Sequence, residues 1–311
     1  MPRRPGTAAV LGLALASVMP VWAAGDEPTL ITVNPHSAYP EGPTVVGGVL
    51  YYAEMGNDRV MRFDGASNSL VWTGDGCWPT AVAALGDGSL AVLCHRAGVV
   101  ARISPAGELL GLTDRDADGR PLNNPNAAAS DGAGGIYFSS SGTFAAGAPA
   151  TGAVFHLDSA GTLRRAAGGI HYANGVAVSP DGKVLYVSEH LGRRVLAFDI
   201  VGDDGLMNRR TFVALDDLVG NDPARTWEVG PDGLAVDRDG NVVIAEYGAG
   251  RLLVVDKAGR LLATISVPER YVTSSAFNAD QTRLYITAPA SLISPDSGAV
   301  YAVDYPIPGM P

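Results

Sequence analysis

The chain is poor in charge, in histidine and cysteine, and in long apolar runs. Only 54 of its 311 side chains are charged, 22 Lys plus Arg against 32 Asp plus Glu, for a formal net charge of −10. A nucleic acid or an anionic membrane asks for a basic face that this balance does not supply, so a small molecule or a cation is the expected ligand. The sequence has no Gly-x-Ser-x-Gly elbow, which argues against a Ser-His-Asp hydrolase, and no glycine-rich phosphate loop ahead of a helix. None of the five histidines pairs with another at ligand spacing, which disfavours zinc. After residue 24 no stretch is long and apolar enough for a membrane helix. What is plentiful is glycine, 39 residues spread along the whole length, with 21 prolines and 47% hydrophobic side chains. That composition excludes disorder and predicts an all-β chain of short strands and tight turns.

Residues 1–23 read as a secretory signal. Arg3 and Arg4 precede an apolar run from Ala8 to Met19, and Val21-Trp22-Ala23 offers a small-x-small cleavage site. The expectation is export to the periplasm or outside the cell, leaving 24–311 as one domain. Its charge is then −12, because the two arginines leave (−10 − 2). Export permits a disulfide between the only cysteines, Cys77 and Cys94, which flank one predicted hairpin. Simple pairing about Gly86-Asp87-Gly88 leaves them about three residues out of register. They either bridge or pack as two small buried hydrophobes.

One unit recurs six times. Its clearest copy runs from Asn174 to Asp199: a short apolar strand, a Pro-Asp-Gly turn, a Leu-Tyr-Val strand, a Gly-Arg turn and a third strand. The copies start at Glu41, Thr80, Asn126, Asn174, Asp232 and Thr273, separated by 39, 46, 48, 58 and 41 residues. Each is the size of a small antiparallel sheet, and six of them predict a six-bladed β-propeller. Thr29 to Pro35 is expected to close the ring as the outer strand of the last blade. The fourth residue of five copies is Ala (Ala83, Ala129, Ala177, Ala235, Ala276), as crowded innermost strands require. Tyr51, Phe63, Tyr137, Phe155, Tyr186 and Phe198 fall in second and third strands and read as core between blades.

In a propeller the first strands begin at one rim of the central channel, so the six starts should face one another. All six carry oxygen donors. Asn174-Gly175 and Asp232-Gly233 are turn dipeptides by composition. In copies two to five, however, the turn glycine lies eight residues further on (Gly88, Gly134, Gly182, Gly240). Glu41, Asn126, Asn174 and Asp232 therefore predict a hard-oxygen cage of charge −2 for one divalent cation, with Ca²⁺ the natural choice and Mg²⁺ or Mn²⁺ as alternatives. His171 stands either at the channel mouth or in a solvated loop. Glu54, Glu189 and Glu246 share the second-strand ends, as acids behind the site or as solvated residues bonded to the following Gly-Arg turn. Phe144, in the small-residue segment Gly142–Gly152, and Trp227 and Trp78 are candidate rim residues around a lid, or simply packing between loops.

The stretches Glu41-Gly42-Pro43, Leu122-Asn-Asn-Pro-Asn126, Asn174-Gly175 through Gly182, and Pro231-Asp232-Gly233 resemble the family of senescence marker protein (regucalcin), gluconolactonase and squid-type phosphotriesterase. That resemblance implies a six-bladed propeller with one catalytic divalent metal held by Glu41, Asn174 and Asp232. Asn126 then binds metal or orients substrate. The family often has Asn-Asp where Asn126-Ala127 stands, and some sugar-acid lactonases have Arg at Asn124, so the cage matches better than the substrate shell. The expected chemistry is hydrolysis of a lactone, with Asp232 as general base or nucleophile. Asn126, Asn124, His171, Trp227, Phe144 and Thr80 are the candidate substrate contacts. Two alternatives stand beside it: a binding propeller with a structural calcium ion, and a metal-free propeller enzyme of the strictosidine-synthase type, whose strand start resembles Tyr172-Ala173-Asn174-Gly175.

Overall fold

The computed structural model describes residues 28–202, 205–221, 223, 225–291, 297–307 and 310. Residues 1–23, read from the sequence as a secretory signal, lie outside them. Twenty-four strands form six sheets of four, each antiparallel and each wound from the channel outward. Blade one consists of Pro40–Val46, Val49–Glu54, Arg59–Phe63 and Asn68–Thr73, and blades two to five follow in chain order. Blade six is assembled from both ends of the chain. Ser274–Phe277, Arg283–Pro289 and Gly298–Asp304 supply three strands, and Ile31–Asn34 pairs with Gly298–Asp304 as the fourth. The ring thus closes as the sequence predicts, through the strand ahead of the first copy.

Because each blade is covered on both faces by its neighbours, middle strands are buried without alternation; Leu90–Cys94 is buried at every position. Outer strands such as Leu109–Thr113 are exposed. The core is divided into six clusters, one at each blade interface. Tyr51 packs with Leu90 and Val92, Phe138 with Ala81 and Leu93, and Tyr186 with Ile244 and Leu253. The repeat-phased aromatics are therefore inter-blade core, with Tyr137 and Phe198 at the interface of blades three and four.

Cys77 and Cys94 form a disulfide. The three-residue offset is taken up where Trp78 turns into the left-handed region (φ 50°) and the ladder shifts between Pro79 and Ala81. The bridge fastens the Trp78 loop to blade two, and Asp58, whose carboxylate accepts the N–H groups of Gly76 and Trp78 at 2.9 and 2.7 Å, holds it against blade one.

Candidate active site

In blades one to five the ladder between the first two strands is interrupted at the repeat start, as between Glu41 and Thr44 or between Pro231 and Leu234. A bulge re-aims one side chain out of the pleat. Here the re-aimed residues are Glu41, Thr80, Asn126, Asn174 and Asp232, and all five line one cavity of about 170 Å³. Glycine follows three of them because the next blade leaves no room for a side chain. A Cβ on Gly42 would run into the backbone of Thr80 and Ala81, one on Gly175 into Asp232 and Leu234, and one on Gly233 into Ser274. Gly175→Ala is expected to lose about 3 kcal/mol of stability, since backbone rather than a flexible side chain must yield. A denaturant titration checks this, and an unchanged midpoint would show that the crowding is relieved elsewhere.

Two further rings stand above the starts. Two residues before the start, Tyr39, Trp78, Asn124 and Tyr172 all adopt left-handed φ of 50–58°, and the three aromatics among them line the cavity. Such backbone is unfavourable for bulky residues and persists only where the surroundings enforce it. At the end of the second strand, one residue past Glu54, Cys94, Glu189 and Glu246, Met55, His95, His190 and Tyr247 also face in. Phe144 completes the wall from its loop, with its ring centroid 4.8 Å from Tyr172, 5.3 Å from His190 and 5.0 Å from Trp227. Beyond the starts the channel narrows to about 30 Å³ among Pro43, Ala81, Ala127, Val176, Leu234 and Ser275, so the aromatic mouth is the way in.

The cavity floor is electrostatically uncompensated. Burial raises the Asp232 carboxyl well above the usual carboxylate range, against hydrogen bonds from the Asn174 amide and the Gly233 N–H. Glu41 remains partly open to the cavity. Its carboxyl is raised by removal from water and then by the charge of Asp232. Among the described residues neither acid has a cationic partner, and Asn174 Oδ1 is buried without a hydrogen bond. Asn126 donates Nδ2–H to Ser141 Oγ at 3.0 Å, which turns its carbonyl end free of that bond. Two carboxylates and two amide oxygens are what a hard cation takes. Among the described residues no group of three or more His, Cys, Asp or Glu stands at metal-ligand spacing, so the cage depends on its two amides.

A family model described as the SMP-30/Gluconolactonase/LRE-like region matches residues 39–290, most of the chain and all five starts that line the cavity. The chain belongs to this family. Among curated relatives, a regucalcin of Danio rerio is 32% identical over 144 residues, 43% of this chain and 46% of that protein. A lactonase of Staphylococcus aureus is 33% identical over 140 residues, 45% of this chain and 41% of that protein. A pentonolactonase of Haloferax volcanii is 27% identical over 243 residues, 76% of each chain. The chain spans about half the length of the first curated relatives it matches. Of solved structures, a gluconolactonase of Xanthomonas campestris superposes with a TM-score of 0.72 at 26% identity, covering 88% of this chain and 89% of that one.

Within this family fold the predicted contacts separate into two groups. Thr80 lines the cavity, but its hydroxyl donates to the Asn126 carbonyl at 2.8 Å, so it fastens blade two to blade three. Phe144 forms the wall and Trp227, 43% exposed, backs it from the rim. Asn124 is not in the cavity: it occupies a left-handed turn and its Nδ2 donates to the His95 carbonyl at 3.2 Å. His171 is also elsewhere, half exposed with Nδ1 3.6 Å from Glu189 Oε1. Thr273 is not among the residues that line the cavity, but it touches the site from behind: its hydroxyl is 2.8 Å from the Pro40 carbonyl and 2.9 Å from Thr287 Oγ1, and its side chain hydrogen-bonds the Glu41 carboxyl. Glu54, Glu189 and Glu246 are fully buried, not solvated, and each carboxylate is bound by the arginine five residues on, Arg59, Arg194 and Arg251. Tyr39, Met55, His95, Tyr172, His190 and Tyr247 line the cavity without being among the site residues the sequence suggests. The signal for them was the repeat phase, since four of six copies have an aromatic residue two positions before the start (Tyr39, Trp78, Tyr172, Tyr271).

Proposed function

We propose that this protein hydrolyses a lactone or related cyclic ester with the help of one divalent cation held by Glu41, Asn126, Asn174 and Asp232, Ca²⁺ being the natural choice. The observation that carries this reading is the pair of carboxylates enclosed without a cationic partner beside the unpaired oxygen of Asn174. Relatives named lactonase, pentonolactonase and gluconolactonase support the reaction class. Export, read from residues 1–23, belongs to the same proposal, and the mass of the mature protein tests it.

When bound, the cation supplies Lewis-acid polarisation of the ester carbonyl and stabilisation of the negative charge that develops on it. The chain's own part begins with Asp232, which takes a proton from water as the water oxygen adds to the carbonyl carbon. The ring C–O bond then breaks, the proton passes from Asp232 to the departing alkoxide, and the open hydroxy acid leaves by the mouth. The Asn174 amide, bonded to the Asp232 carboxylate, fixes its direction. Ser188 Oγ–H donates to the Asp232 carbonyl at 2.7 Å and Gly233 N–H to the Thr273 carbonyl at 2.7 Å, so the backbone behind the base is held from two blades.

A panel of lactones assayed with and without chelator tests the reading. Turnover should vanish on chelation and return with added Ca²⁺. Equal rates in both arms would contradict it.

A further inference from the structure

Resting on the reading of this site as a lactonase, we infer that its substrate is a lactone carrying a flat apolar substituent rather than a polyhydroxylated sugar lactone. The argument lies in what the wall above the carboxylates has left to offer. Its polar groups are already engaged with the protein. The Thr80 hydroxyl donates to the Asn126 carbonyl, and the Tyr172 hydroxyl bonds the Ser141 and Asn126 side chains. The Tyr39 and Tyr247 hydroxyls bond each other at 3.0 Å, which leaves one hydroxyl hydrogen between them. His190 Nε2 lies 2.8 Å from the Glu228 carbonyl and His95 Nδ1 lies 3.3 Å from the Pro125 carbonyl. A ring nitrogen facing a carbonyl carries its hydrogen, so neither of these two N–H groups is left for a substrate. His190 Nδ1 is buried without a partner. Burial pushes both rings down to about 4, so neither brings a positive charge at neutral pH.

No Lys or Arg lines the cavity. Arg96 stands outside the lining, its guanidinium 5.0 Å from the Trp78 ring centroid. A sugar lactone would bring several hydroxyls, each losing water on entry, to a wall whose free donors are one hydroxyl hydrogen of the Tyr39–Tyr247 pair and the indole N–H of Trp78. Unmatched hydroxyls are penalised strongly in such a site. The faces of Trp78, Phe144 and Tyr172 and the Met55 side chain favour the opposite choice, a planar ring that stacks and displaces weakly held water.

The experiment compares two six-membered lactones, dihydrocoumarin and glucono-δ-lactone, on the full mature protein loaded with Ca²⁺, alongside Phe144→Ala. Phe144 is 37% exposed on a loop, so the variant should fold; its circular dichroism and melting temperature check that. The expected result is a kcat/KM at least 100-fold higher for dihydrocoumarin. In Phe144→Ala that value should fall about tenfold, mainly through KM, with little change for glucono-δ-lactone. Faster hydrolysis of glucono-δ-lactone, or an equal loss on both substrates in Phe144→Ala, would overturn the apolar assignment while leaving the lactonase reading in place. Hydrolysis of neither would overturn the lactonase reading and this inference with it.

Discussion

Asp232→Asn should lower lactone turnover by about 10³-fold and, in the same protein stripped of metal, raise the melting temperature. The first effect follows from the loss of the proton acceptor, for which factors of roughly 10²–10⁴ are usual. The second follows from burial. Without a cation, Glu41 and Asp232 hold their protons more tightly in the folded chain than in the unfolded one, because both are desolvated and the charge of Asp232 acts on Glu41. The folded state then binds more protons than the unfolded state as soon as pH exceeds the unfolded carboxylate value of about 4, and stability falls as pH rises from there through the raised folded values. Removing one of the two charges lifts that penalty, on the order of 2 kcal/mol, or roughly 4 °C for a chain of this size. Melting curves of metal-free wild type and Asp232→Asn at pH 5 and pH 8 read it out. The gap should widen at the higher pH, and a variant less stable than wild type at pH 8 would refute the strained pair.

Deletion of residues 28–36 should leave no cooperatively folded protein at 25 °C. The segment contributes the outer strand of blade six, and it is also sewn to blade one: Asn34 Nδ2–H donates to Tyr52 Oη at 2.9 Å and Asn68 Nδ2–H to the Val33 carbonyl at 2.8 Å. The interface it covers has the smallest of the six cores, with Leu50, Tyr52 and Val300 buried and Val33 and Phe63 packed against them. Native domains retain only about 5–15 kcal/mol in total, so losing a ladder, two inter-blade hydrogen bonds and a core edge together exceeds the margin. Loss of the sigmoidal unfolding transition is the expected observation, and an unchanged melting temperature would show that the ring closes some other way.

Periodicity is what made the architecture readable. Six copies with one phase predict six blades, and the phase brings Glu41, Asn126, Asn174 and Asp232 into one cavity without any single motif being decisive. At Thr273 the phase leads to the Glu41 carboxyl rather than to the cavity wall, for a local reason. Blade six pairs Ser274–Phe277 with its neighbour in unbroken register, so no bulge turns the start inward. Asn124 and His171 mislead because proximity along the chain stands in for direction. Asn124 shares its repeat position with Tyr39, Trp78 and Tyr172, but its short amide closes a turn where their rings reach the cavity. His190 instead follows Glu189 at the end of the second strand, as Met55, His95 and Tyr247 follow Glu54, Cys94 and Glu246, and this position becomes visible only once those four residues are aligned. The burial of those three glutamates is not legible locally, because the cover comes from blade stacking and the bound arginine lies across a turn.

In the proposed function, four of the bulged strands, those that carry Glu41, Asn126, Asn174 and Asp232, build a cage for one divalent cation. Calorimetric titration of Ca²⁺ into chelator-treated wild type, Asn174→Ala and Glu41→Gln tests it most directly. One ion should bind per wild-type chain, with affinity reduced at least tenfold in Asn174→Ala and abolished in Glu41→Gln. Binding that is absent from wild type, or equally tight in all three proteins, would contradict it.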